Sequence, residues 1–96
     1  MSSLGNLRAQ TPEGPQEGVP GRFHWLASDL APPFTLALLG AGYQKLVSID
    51  GIAGTSWTCD ARVADCLARG GTFHWFVSAV RDGAVCRSAL ASFEIR

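Results

Sequence analysis

Residues 67–80 read LARGGTFHWFVSAV, and this stretch decides the fold. From Phe73 onward, Phe73, Trp75, Val77 and Ala79 fall on one side at period two, with His74, Phe76, Ser78 and Val80 on the other. Aromatic and β-branched residues suit a pleated, half-buried surface, so the segment is expected to be the central buried strand. Gly70-Gly71 marks a turn on entry. Asp82-Gly83 reads as a tight hairpin turn beyond it, because both central positions of a type I′ turn need positive φ.

Working outward, residues 22–27 (RFHWLA) alternate in the same way, with Phe23 and Trp25 on one face and His24 and Leu26 on the other. Residues 34–39 form a third strand whose core face carries Phe34, Leu36 and Leu38. Gly40-Ala41-Gly42 turns the chain into a strand over 43–49, and a short strand over 55–59 is anchored by Trp57. Residues 60–66 fit one or two helical turns, stopped by Gly70-Gly71. The hairpin over 72–86 and a last strand within 88–95 complete six or seven strands, separated by turn signals about every ten residues. That spacing predicts an all-β, antiparallel two-sheet sandwich formed by residues 22–96. Residues 1–21, rich in Pro and Gly, are expected to form an arm with a possible edge strand at 7–10.

Eight basic and eight acidic residues cancel, with no run of either sign, which argues against a nucleic-acid footprint or a polybasic membrane surface. The N-terminus lacks the basic start and apolar run of a signal peptide, and the longest apolar run, 34–41, is about half a bilayer span. Three cysteines make no even framework and no CxxC pair, so the redox compartment stays open.

Chemistry is sparse. His24, His74, Cys59, Cys66 and Cys86 lack the short-spaced pairs that zinc favours, and both histidines oppose the inward aromatics. Asp60 and Asp65 read as solvated loop acids, and the glycine turns lack the Gly-Lys-Ser/Thr ending of a phosphate cradle. No cofactor, metal or catalytic set is expected, and the chain is read as a non-enzyme. Cys59 and Cys66 are a candidate disulfide in an oxidising compartment.

The chain resembles the fibronectin type III superfamily, most strongly its bacterial modules. Leu67, Gly70, Phe73, Trp75, Val77 and Ala79 follow that family's pattern of a leucine, a glycine turn, an aromatic corner and alternating core positions. Trp25 falls where the family has its second-strand tryptophan, and Asp82-Gly83 with Ser88 and Phe93 resembles its last hairpin and strand. The corner residue, usually Tyr, is Phe73, and the link from Trp57 to Leu67 is longer than usual. The resemblance implies an immunoglobulin-like scaffold without shared catalytic residues, in an extracytoplasmic setting.

The outward side of the central hairpin departs from that pattern. Phe76 and Val80 occupy positions where polar residues are usual, flanked by Val85 and Ala89 across the hairpin and by Ala37 and Leu39 from the third strand. An apolar patch of this kind marks a protein partner, a homo-oligomer contact or an intramolecular cover. A protein-interaction module or accessory domain is the leading expectation. A passive spacer and a carbohydrate-binding module, the latter needing an exposed Trp, are the alternatives.

Overall fold

The computed structural model describes residues 6–11, 13–28, 30, 32–81 and 83–95, without the side chains of residues 6, 28 and 81. The chain is mostly β, with one short helix. In chain order the strands are β1 (Asn6–Thr11), β2 (Gly14–Gln16), β3 (Arg22–Ser28), β4 (Phe34–Leu39), β5 (Lys45–Ile52) and β6 (Ser56–Thr58). Helix α1 (Ala61–Leu67) follows, then β7 (Gly71–Arg81), β8 (Ala84–Arg87) and β9 (Ala91–Ile95). One sheet has the order β1-β3-β6; the other runs β2-β9-β7-β4-β5, with β8 pairing β7 beyond the end of β9.

The eleven-residue β7 is the axis of the larger sheet. On one side it pairs antiparallel with β4, Phe34 opposite Ala79 and Leu38 opposite Trp75. On the other it pairs first with β9, then with β8. The second hairpin strand is thus broken between Arg87 and Ala91. There Ser88 turns inward, its hydroxyl accepting from the Val77 amide at 3.0 Å, which satisfies backbone groups that a continuous ladder would have paired.

The sheets meet through one apolar core. Phe23 and Trp25 from β3 face Trp75 from β7, with ring centroids 5.1 Å and 6.4 Å from the Trp75 ring. Trp25, Trp75, Phe34, Leu36, Leu38 and Val77 all lie in this cluster, as the period-two alternation requires. Phe73 stacks on Phe93 at 5.6 Å.

Helix α1 closes one end. Asp60 caps it, its carboxylate accepting from the Val63 amide at 3.2 Å. Val63 and Leu67, four apart and therefore on one face, are fully buried. Gly70 and Gly71, with φ of 72° and 104°, bend the chain from the helix into β7, a path that side-chain-bearing residues resist.

In the N-terminal stretch the edge strand expected at 7–10 is present as β1, and a further strand, β2, was not expected. β1 pairs with β3, and β2 lies parallel to β9, Gly14 opposite Phe93, so the chain crosses from one sheet to the other between them. Leu7 and Ala9 pack against the core, which is what holds β1 in place. β5 starts later than expected, at Lys45 rather than Tyr43, because residues 40–44 close a turn in which the Tyr43 amide donates to the Gly40 carbonyl. Arg81 pairs with Ala84 and Gly83 has φ 81°; Asp82, the other residue of the expected turn, lies outside the described residues.

Candidate functional site

The outer face of the larger sheet can be read in rows from its register. Val85 stands opposite Val80. The next row runs from Arg87 to Ser78 to Thr35, and from Thr35 its hydroxyl donates to the Asp50 carboxylate at 3.1 Å. Below it come Phe76, Ala37 and Ser48, then Ser92, His74, Leu39 and Lys45.

Each residue expected to make a contact surface has a definite place in this grid. Val80 and Val85 are 64% and 60% exposed and adjacent. Phe76 is half-buried, with the Arg87 guanidinium 5.7 Å from its ring centroid, a cation–π contact. Ala89 is exposed in the break between β8 and β9. Ala37 and Leu39 depart from the expectation: they are only 3% and 8% exposed. β4 lies between β5 and β7, so neighbours on both sides cover its small outward side chains.

The element that periodicity missed is Tyr43. It adopts a positive φ of 65°, which costs energy for a bulky residue. This backbone turn lays the ring on His74, centroids 4.4 Å apart and nearly parallel at 12°. The Nδ1 of His74 is also 2.6 Å from the Ser92 hydroxyl, so this outward histidine is covered rather than open. Tyr43 itself is 61% exposed and is the exposed aromatic ring among the described residues. The Gly-Ala-Gly turn before it was the available signal.

Together Leu39, Tyr43, Phe76, Arg87, Ser88 and Leu90 line a shallow depression of about 340 Å³ on this face. Its floor is apolar and its rim carries one guanidinium. Among the described residues no carboxylate lies within ion-pair distance of Arg87; the ion pair present joins Arg62 to Asp60.

Other chemistry is dispersed. The Nδ1 of His24 lies 2.9 Å from the Gln10 side-chain oxygen in the smaller sheet, and His74 lies in the other sheet. No three His, Cys, Asp or Glu side chains converge among the described residues. Cys59 and Cys66 are both thiols. Asp60 and most of α1 lie between them in the chain. Burial, and secondarily the Asp60 charge, raises the Cys59 thiol above its ordinary range, which makes it a poorer nucleophile. The Asp60 carboxyl is lowered, first by the Val63 amide and then by Arg62. Trp25 and Trp75 are fully buried, and Trp57 is half-buried beside Phe23.

No family model, curated protein or solved structure matches the chain.

Proposed function

We propose that the chain is a non-catalytic protein-interaction module of fibronectin type III-like architecture that binds another protein through the outer face of its larger sheet. The observation that carries this reading is the placement of Phe76, Val80, Val85, Tyr43 and Leu90 on that face, with all but Phe76 exposed. Large apolar side chains scattered singly need no explanation; Tyr43, Phe76 and Leu90 gathered around one depression do, with Val80 and Val85 paired beyond the Arg87–Ser78 row. The strand arrangement supports the scaffold. β1, β3 and β6 share one sheet, and β7 sits between β4 and the β8/β9 strand in the other, as in immunoglobulin-like sandwiches. Tyr43 adds to the surface argument, because a strained, exposed aromatic held rigid by stacking loses little entropy on contact.

The test is the molar mass of the chain, purified and in its native source, for the wild type and for Phe76→Arg. The expected result is an assembly that the substitution dissolves while the near-ultraviolet signal of the buried tryptophans persists. A wild-type chain that is monomeric and without a partner in its native source overturns the proposal. So does loss of folding in Phe76→Arg, which would place Phe76 in the chain's own core.

A further inference from the structure

The outer face carries charge at its corners as well as apolar side chains at its centre, and the signs alternate. Arg87 and Asp50 stand at opposite ends of one registered row: Arg87 on β8 pairs with Ser78, Ser78 with Thr35, and Thr35 bonds to Asp50 on β5. Toward the other end of the face the order reverses, with Lys45 on β5 opposite Leu39 and Glu94 on β9 opposite Thr72. All four charged residues are exposed. The β8/β9 side of the face, which β2 flanks beyond β9, therefore reads plus then minus, and the β5 edge reads minus then plus.

Such a face is complementary to itself. We propose that the protein partner inferred above is a second copy of this chain, packed outer face to outer face about a two-fold axis that runs along the strands. Such an axis exchanges the two edges of the sheet and leaves levels along the strands unchanged. With the axis midway across the four strands, between β7 and β4, Arg87 lies over Asp50 of the second copy, and the symmetric contact forms at the same time. Lys45 comes within about one row of Glu94, on the spacing of paired strands. Sheets that pack face to face keep their strands within about 30° of one another, which this axis allows.

Four strands at about 4.8 Å spacing and some seven residues of strand length give a footprint of roughly 20 by 25 Å. Two such faces bury on the order of 1,000 Å², at the small end of specific interfaces, so the dimer is expected to dissociate on dilution.

This inference rests on the outer-face reading, and sedimentation of the purified chain across a concentration series separates the two. The wild type is expected to dimerise reversibly, with a dissociation constant that rises with salt. Arg87→Glu alone and Asp50→Lys alone should each weaken the dimer by about tenfold or more, since each places like charges face to face. The double variant Arg87→Glu/Asp50→Lys restores opposite signs in the row and should recover to within about threefold of wild type. An axis across the strands predicts no recovery, because the introduced carboxylate would then meet the Glu94 corner. A pure wild-type chain that stays monomeric, single variants that dimerise as well as wild type, or a double variant that fails to recover each overturns the second copy as partner. If the monomeric pure chain nevertheless resides in a native complex that Phe76→Arg dissolves, the outer-face reading stands and only the self-association fails.

Discussion

Replacing Trp75 by alanine tests the core at its centre. Trp75 is fully buried, stands edge-on to Phe23 at 5.1 Å, and faces Trp25 at 6.4 Å. Removing a buried aromatic costs about 3–5 kcal/mol, and each aromatic pair lost adds roughly 0.5–1.5 kcal/mol, so the upper part of that range applies. A domain of 96 residues has a total stability of about 5–15 kcal/mol. Trp75→Ala should therefore remove a third of the stability or all of it. With a urea dependence of about 1 kcal/mol per molar for a chain this small, the midpoint should fall by about 3 M or more. Urea titration followed by far-ultraviolet circular dichroism and by the fluorescence of Trp25 and Trp57 reads this directly. A loss below about 1 kcal/mol would show that Trp75 is not at the junction of the two sheets.

Trp25→Phe should behave differently. Among the described residues the Trp25 indole N–H is buried without a hydrogen-bond partner, an arrangement that costs about 1–3 kcal/mol. Removing it offsets most of the lost ring burial, so the net change should stay within about 1 kcal/mol; a loss above about 2.5 kcal/mol would mean that the N–H is paired. Asp60→Ala should lower the melting temperature and speed exchange of the Val63 amide, whereas Asp60→Asn should largely keep the cap. Because the Asp60 carboxyl is lowered in the folded chain, its contribution is present above the ordinary carboxylate range and lost as pH falls through its folded value. The wild type should then lose more melting temperature on acidification than Asp60→Ala, and equal losses would refute the cap.

The legible parts of this fold are those where one face is buried and the other is not. In β7, the alternation of Phe73, Trp75, Val77 and Ala79 with His74, Phe76, Ser78 and Val80 specifies both the strand and its core face. β4 is legible as a strand, yet Ala37 and Leu39 are buried as well, because central position in a sheet is a tertiary property that a local pattern does not encode. β2 was illegible: Gly14, Pro15 and Gln16 have no apolar alternation, and their pairing is with β9, some eighty residues along the chain. At the site, Phe76, Val80 and Val85 were found by period two, whereas Tyr43 reaches the same face by a backbone turn with positive φ. The Arg87–Asp50 row likewise appears only once three strand registers are known.

The central claim is that contact is made through the outer face of the larger sheet, and hydroxyl-radical footprinting of the native assembly beside the dissociated chain tests it most directly. Tyr43 and Leu90, on that face, and Leu26, which points away from the core on the smaller sheet, are all substantially exposed in the single chain. Assembly should slow oxidation of Tyr43, Leu90 and Phe76 several-fold and leave Leu26 unchanged. Protection of Leu26 with Tyr43 still fully reactive would place the contact on the opposite sheet and contradict the account.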